Sequence, residues 1–553
     1  MPKTYVIIGA IAAGTSAAAK IRRSDEDAEI LIYDMDKYIS YGTCGLPYFV
    51  SGTIKHMSSL LVNTVENFEK RFNLKVFSRH KVTAVDTDKK IVKVRELSSG
   101  KEFVQNWDKL IITTGSKPVT LNMPGMDAEN VFGLKTIADS LSLKKYMENL
   151  DKKNPHAVII GGGFIGLELL EAFLKRQMKV TIVEKTEQLL PMFDKQIIEY
   201  LHNYLADRGV RLLTGEQVAG VATKEDKIIS VDTVSGKKLP ADLVFMGIGT
   251  RPEVGLAKQA GIALGNSGAV AVNKYMQTNV ADVYAAGDCC ECLNEITGQW
   301  HPYNLASIAN RQGRVAGYNA AGGKDTFNGS NITSIIKVLD IAIAKTGISL
   351  SEAKSEGINA GNIELHYLNH AGYYPGAEIM HMMLIYDRDS GRVLGMEAIG
   401  RQGVDKRADV VSVAIKNGMK AWELDNLDLC YQPEYGSAKD PINILGMIGD
   451  NIRKKEVGFI DSSELEQLKS QGQDFILLDV RTPKEYGKEN IEGSVNIYVD
   501  QLRDNLDKLD RNKLIIIYCL TGYRAYIAYR ILYNRGYRVK LLNGSILSWY
   551  RKI

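Results

Sequence analysis

Short apolar runs closed by glycine turns set the pattern of the first half of the chain. Tyr5 to Ile8 leads into a glycine-bearing turn and a helix of small residues starting near Ala13, and a second run, "EILIYD", ends in Asp34. The same order recurs from "HAVIIGGGFIGLELLEAF" to "KVTIVE", which closes on Glu184. Runs of this length read as strands buried on both faces, and their alternation with helical segments predicts βαβ units on a parallel sheet. "KLIITTGSKP" (109–118) and "VYAAGDCC" (283–290) read as two more strands emptying into glycine turns. Further along, "NITSIIKVLDIAIAKTGIS" is a mixed apolar run with β-branched residues. "IMHMMLIYDRDSGRVLGMEAIG" predicts two strands joined at "DRDSG", and "DVVSVAIKNGM" is apolar at helical spacing. Residues 448 to 458, "IGDNIRKKEVG", read as a polar linker. After it a short helix, the strand "DFILLDVR", a helix near "LRDNLDKL", the strand "KLIIIYC", a glycine turn and a helix from Arg524 complete a small α/β domain.

Composition adds little beyond scale. A chain of 553 residues has room for several domains, and 69 basic against 65 acidic residues give no reason to expect a nucleic-acid partner. Six cysteines argue against a disulfide scaffold and fit a reducing cytosol. The opening "MPKTYVIIGAIAAGTSAAAK" has the look of a signal peptide, but cleavage would destroy the unit that ends at Asp34. No other apolar stretch approaches bilayer length, so a cytoplasmic protein without membrane insertion is expected.

The second unit carries the cleaner nucleotide signal. Gly161, Gly163 and Gly166 stand in G-x-G-x-x-G spacing where a strand gives way to a helix, and Glu184 ends the next strand. Glycine allows the tight turn and the close approach of a pyrophosphate to free helix N–H groups, while the acid can hold a ribose diol. The first unit has Gly9, Gly14 and Asp34 but Ile11 at the middle position, with Ala10, Ala12 and Ala13 keeping the turn small. Read alone, it could equally be an ordinary βαβ segment.

Paired units interrupted by these later strands resemble the flavoprotein pyridine nucleotide-disulfide oxidoreductases. The resemblance implies that the first unit binds FAD, through Gly9, Ala12, Gly14, Asp34, Thr114, Gly115, Gly287 and Asp288, and that the inserted second unit binds NADH, with NADPH possible beside Lys185. "GIGTRPE" (247–253) resembles the family's return to the flavin unit. The expected organisation is two Rossmann-like domains, an FAD domain in two pieces (1–118 and 250–325) and an NAD(P)H domain (150–245). An α+β dimerisation domain (328–447), implying a homodimer, and a rhodanese-like α/β domain (459–553) follow.

Two cysteines carry the candidate chemistry. Cys519 ends a strand before "LTGYR", either as a plain turn cysteine or as a thiolate favoured by loop N–H groups and by Arg524. The tail resembles rhodaneses, which implies a sulfur carrier at Cys519 and a structural pair in Asp479 and Arg481. Leu520 stands where that family usually has arginine, leaving Arg524 as the loop's cation and arguing for persulfidic sulfur over thiosulfate. Cys44 lies in "SYGTCGLPY" (40–48), a segment expected to enter a helix, and Tyr48 occupies the position where classical relatives place a second redox cysteine.

That stretch resembles the single-cysteine motif of coenzyme A disulfide reductases. The resemblance implies coenzyme A as a tightly held substrate, with Lys20 and Arg23 at its nucleotide end and Ser40 near its thiol arm; Arg22 shares the basic cluster, and Lys75 joins by charge alone. It also implies Tyr373 and Tyr431 reaching from one subunit to the other's Cys44, with Tyr374 as the alternative register. The family ending is matched by "SAKDP", whereas "QPEYG" departs from its usual double proline. Cys289, Cys290 and Cys292 are too crowded for zinc spacing, with no histidine at a suitable interval before His301, so no metal is expected. They and Cys430 are expected to be packing residues.

These parts together imply NAD(P)H-driven, FAD-dependent reduction of coenzyme A persulfide or polysulfide at Cys44, releasing hydrosulfide and coenzyme A, with sulfur relayed by Cys519. Coenzyme A disulfide reduction as the main activity, an NADH oxidase or peroxidase, and a non-enzymatic sulfur relay or sensor are the alternatives.

Overall fold

The computed structural model describes residues 2–551. The chain forms two compact units, one holding the residues up to Leu189 together with Arg211–Ile332, the other holding Leu190–Val210 and the chain from Thr333 onward.

In the first unit, the strands Val283–Ala285, Lys109–Ile112, Thr4–Ile8, Glu29–Tyr33 and Lys75–Phe77 lie side by side in that order. All neighbours are parallel, so the late strand joins the early ones in one sheet. The helix Ala12–Arg22 crosses between the first two strands and packs against Ala306–Ala320. Gly313 and Gly317 make that approach possible. A Cβ at the first would stand 2.2 Å from the Ala13 carbonyl oxygen and at the second 2.4 Å from that of Ala17. Arg22, which shares the basic cluster at the end of this helix, is buried and gives its N–H groups to the carbonyls of Phe72, Asp25, Glu26, Ala28 and Asn73. Those five acceptors replace the water a buried guanidinium would otherwise lose.

A second parallel sheet runs Arg211–Leu213, Lys179–Val183, His156–Ile160, Leu243–Met246 and Val131–Phe132. It recruits an edge strand from before residue 150. Two antiparallel three-stranded sheets, over residues 80–106 and 218–240, complete this unit's larger sheets.

The second unit contains an antiparallel sheet ordered Ser334–Val338, Ile341–Gly347, Val393–Gly400, Ile379–Asp387 and Ala360–Leu368. Its neighbours include the two strands joined at "DRDSG". The tail adds a parallel sheet, Phe459–Ile460, Arg538–Leu542, Leu514–Tyr518, Phe475–Asp479 and Ser494–Asn496. Two local expectations need correction. The polar stretch after 447 is largely helix, Pro441–Arg453, whose apolar residues Ile442 and Leu445 are buried while its last turn pairs Asp450 with Arg453 and Lys454. The segment around "LRDNLDKL" forms two 3-10 turns, Val499–Asp504 and Leu506–Lys508, meeting at Asn505, and is not an α-helix.

The tail docks on the antiparallel sheet through buried polar side chains. Asn543 accepts from the Glu364 N–H at 3.0 Å and donates to Asp461 at 2.9 Å, and Ser548 donates to the Glu364 carboxylate at 2.5 Å. Tyr200, from the helix Lys195–Ala206, meets His366 Nε2 at 2.9 Å and donates to the Leu547 carbonyl at 3.2 Å. The His366 and His381 rings stack 4.4 Å apart. Burial pushes Glu364 up to about 7 and lowers His381 to about 3, so both favour their neutral forms here.

Because Glu364 holds a proton in the fold at pH values where the unfolded chain has released it, its contribution is fullest below its ordinary carboxyl range and is lost as pH rises through about 7. Glu364→Gln removes that term. Between pH 5 and 8 the wild type should therefore lose roughly 2 kcal/mol of stability relative to the variant. Thermal unfolding of both proteins across that range checks this; a difference that stays constant with pH contradicts it.

Candidate active site

The two nucleotide units share one local device. In the first, the Ala10 N–H donates to the Asp34 carboxylate at 2.6 Å; in the second, the Gly162 N–H donates to Glu184 at 2.6 Å. Each acid thus pins the glycine turn to the end of the neighbouring strand. Gly9 and Gly161 have φ of +107° and +99°, a conformation that side chains rarely adopt, and each turn lies against the carbonyl of a facing loop, Thr113 or Gly247. Ile11 is accommodated because φ there is −100°, as it is −85° at Gly163. Neither following helix, Ala12–Arg22 or Phe164–Lys175, has a side-chain N-cap. Their first N–H groups are thereby left for a phosphate, and the residues present fit a dinucleotide in each unit. Burial raises Asp34 to about 6 against the pull of its two backbone donors.

At the ends of the first sheet's strands, Gly287 and Asp288 meet the Thr114–Gly115 turn. The Gly287 N–H donates to Gln312, and Asp288 accepts from Ser116 at 3.0 Å with Lys135 Nζ 3.7 Å away. Thr114 Oγ1 donates to the Glu253 carbonyl, and the Gly115 carbonyl accepts from the Glu253 N–H. These bonds join the two sequence segments at the expected cofactor residues and add Ser116 and Lys135 to them.

Cys44 is exposed in a 3-10 turn, Thr43–Gly45, immediately before the helix Leu46–Val50, and not within a helix. Ser40, buried with a φ of +46°, donates its N–H to the Ala10 carbonyl at 2.8 Å. The cysteine segment is therefore tied to the first glycine turn. Although solvent reaches Cys44, the protein packed around its sulfur raises the thiol above its ordinary range, and the Glu168 carboxylate adds to the rise. Tyr48 hydrogen-bonds Glu168; burial brings that acid to about 7 and the phenol to about 12. Glu168 escaped the sequence reading because its helix lies over a hundred residues from Cys44, and only the fold brings the two together.

Lys20 stands one turn from Arg23 at the end of the first helix. Its Nζ lies 4.2 Å from the centre of the Tyr318 ring, and Arg23 is exposed. Lys75 pairs with Glu29 at 4.0 Å. In the second unit, Tyr373 and Tyr431 are both exposed, and their hydroxyls are 2.9 Å apart. That hydrogen bond raises the cost of ionising the Tyr373 phenol. Cys289, Cys290 and Cys292 are buried in the first unit's core, but Cys430 is exposed, against the expectation of packing; its carbonyl accepts from Lys406 on the neighbouring helix.

Cys519 is buried at the end of its strand. The Gly522 N–H donates to its sulfur at 3.1 Å, and the helix Tyr523–Tyr533 starts immediately after. A thiolate or persulfide placed there meets an N–H donor and a helix start. Arg524 sits in the first turn of that helix and makes a two-bond pair with Glu485, at 2.7 and 2.6 Å. Asp479 and Arg481 form a buried pair, with the guanidinium also donating to the Glu489 carbonyl.

Residues 3–313 match the pyridine nucleotide-disulphide oxidoreductase family, 333–440 its dimerisation domain and 461–552 the rhodanese-like domain. An NADH oxidase of Methanocaldococcus jannaschii is 33% identical, covering 79% of this chain and 97% of its own length. A CoA-dependent NAD(P)H sulfur oxidoreductase of Pyrococcus furiosus is 34% identical, covering 81% of this chain and 99% of its own. The solved NAD-dependent persulfide reductase from A. fulgidus is 35% identical with a TM-score of 0.92, covering 99% of this chain and 100% of its own.

Removing the acid beside Cys44 should ease its ionisation. Glu168→Gln is expected to move the midpoint of the pH dependence of Cys44 alkylation down, because it removes a nearby like charge. Peptide mass spectrometry after timed alkylation of the reduced protein reads this, and an unmoved midpoint would remove Glu168 from the Cys44 environment.

Proposed function

The chain belongs to the pyridine nucleotide-disulphide oxidoreductase family, and from that premise we propose that it reduces coenzyme A persulfide or polysulfide with NAD(P)H and FAD. One observation carries the reading: an accessible thiol, Cys44, at the sheet's glycine-turn end with Tyr48 where a disulfide partner would stand, in a chain with a second, loop-held thiol at Cys519. A redox cysteine without an internal partner needs an external thiol, and coenzyme A, on which the P. furiosus relative depends, supplies one.

Bound at the two nucleotide turns, FAD and NAD(P)H would supply the two-electron reduction that a sulfur–sulfur bond at Cys44 requires. Gly161, Gly163, Gly166 and Glu184 hold the nicotinamide nucleotide; Gly9, Ala12, Gly14, Asp34, Thr114, Gly115, Gly287 and Asp288 hold the flavin nucleotide. Lys20 and Arg23 neutralise the phosphates of coenzyme A, and the buried Ser40 fixes the segment along which its thiol arm lies. Cys44 Sγ attacks the coenzyme A sulfur of the persulfide and releases hydrosulfide, leaving a mixed disulfide with coenzyme A. Its reduction returns Cys44 and frees coenzyme A. In a homodimer, the Tyr373–Tyr431 pair reaches the partner subunit's Cys44, where a phenol protonates the departing thiolate. Cys519 accepts sulfane sulfur and passes it to coenzyme A, which is the use the fused domain finds in this scheme.

Denatured protein is expected to release FAD, and to release coenzyme A after thiol treatment. Cys44→Ser should reduce turnover with every sulfur substrate by at least about 10³-fold. Cys519→Ser should lose only the turnover fed by polysulfide or another persulfide while keeping coenzyme A disulfide reduction. The NADH oxidase name of the M. jannaschii relative favours a second reading; rapid oxygen consumption with a sulfenic Cys44 and no coenzyme A released would establish it instead.

A further inference from the structure

Glu485 stands at a junction that the scheme above leaves unused. It is the third residue of the short helix Pro483–Lys488, and its Oε2 accepts from the Thr482 N–H at 3.1 Å and the Thr482 hydroxyl at 2.8 Å. The same carboxylate takes both terminal nitrogens of Arg524, so its position is fixed from two sides. Both partners are only partly exposed, at 26% and 31% of their side-chain surface, and a two-bond arginine–carboxylate pair of this kind is among the stronger charge-assisted contacts. Arg524 is the single cation of the loop from Cys519 to Arg524, since Leu520, Thr521, Gly522 and Tyr523 are uncharged. Its guanidinium also reaches the Cys519 sulfur. Nearby, Arg481 is consumed by Asp479. The sulfur site is thus offered a directed N–H dipole from Gly522 and a cation whose charge is already matched.

We propose that Glu485 sets the donor specificity of Cys519: by neutralising Arg524 it admits persulfide or polysulfide sulfur and disfavours the dianion thiosulfate. The inference rests on Cys519 being the sulfur acceptor. In either reaction the Cys519 thiolate attacks a sulfane sulfur, one sulfur–sulfur bond forms as another breaks, and no net oxidation occurs. With a persulfide the leaving group is a thiolate, which takes up one proton. With thiosulfate the leaving group is sulfite, and two negative charges must be held beside the loop throughout; a paired arginine does this poorly, and a free one does it better. Glu485 acts through Arg524 and is a positioning residue.

The test uses the full-length, FAD-loaded protein. Initial rates of sulfur transfer to cyanide are measured with thiosulfate and with glutathione persulfide, and persulfide on Cys519 is read by mass spectrometry. In Glu485→Gln the ratio of kcat/KM for thiosulfate to that for glutathione persulfide should rise at least about tenfold. Glu485→Asp, which keeps the charge, should leave it within about twofold, and Glu485→Gln combined with Arg524→Gln should return it to the wild-type value. A purely structural role for Glu485 would lower both rates together and leave the ratio unchanged, and that outcome overturns the proposal, as does a raised ratio that survives loss of Arg524. If wild-type Cys519 takes sulfur from neither donor, the acceptor assignment itself fails and the inference falls with it.

Discussion

Two helix backbones pressed together without side chains between them hold the first unit in its working form. Gly313 and Gly317 lie against Ala13 and Ala17, close enough that even a methyl group would collide with a carbonyl oxygen. This contact brings the helix that opens the first glycine turn beside one that begins nearly three hundred residues later. Gly287 is carried with it: a Cβ placed there would stand 3.0 Å from the Ala13 methyl. The acid at 288 and the turn at 9 therefore belong to a single cradle only because small residues were kept on both helices. Burial of the surrounding aliphatic residues makes the approach favourable, and the absence of side-chain bulk makes it possible.

The chemistry of the two sulfurs follows from opposite surroundings. Cys44 is accessible, but the packing around it and the Glu168 carboxylate disfavour its thiolate. Glu168 itself sits near half-protonation at neutral pH, so the charge beside the thiol can change within an ordinary working range. Cys519 is buried yet receives a directed N–H donor from Gly522. One site has a reachable sulfur that needs help to ionise; the other has a sheltered sulfur in a loop shaped to hold negative charge.

The tail is attached in part through buried polar contacts. Asn543, Ser548, Glu364, Tyr200 and two stacked histidines form a buried network in which neutral forms are favoured. Asn543 and Ser545 lie two residues apart in sequence, and Ser545 accepts from the Cys519 N–H while the Ile546 N–H donates to the Cys519 carbonyl. The same short segment thus anchors the tail and backs the strand end at Cys519. Directional hydrogen bonds define such an attachment more narrowly than hydrophobic contact would.

Local order along the chain was legible from sequence alone. The strand–turn–helix–strand–acid order of both nucleotide units, the paired strands at "DRDSG", the solitary thiol at Cys44 and the glycine loop after Cys519 depend on periodicity, turn chemistry and near neighbours, which a sequence displays directly. Readings failed where the outcome depended on a distant partner. Arg22 and Arg23 are adjacent and chemically identical, yet one is buried against five carbonyls and the other faces solvent, because helix rotation and the arrival of residues 72 and 73 decide between them. Asp450 and Arg453 look like linker residues until the apolar face of their helix finds a surface to cover. Glu168 beside Cys44, Lys135 beside Asp288 and Glu485 around Arg524 have no short-range signal at all. Spacing along the chain determines which backbone forms, whereas charge pairing and burial are set by distances that exist only after folding.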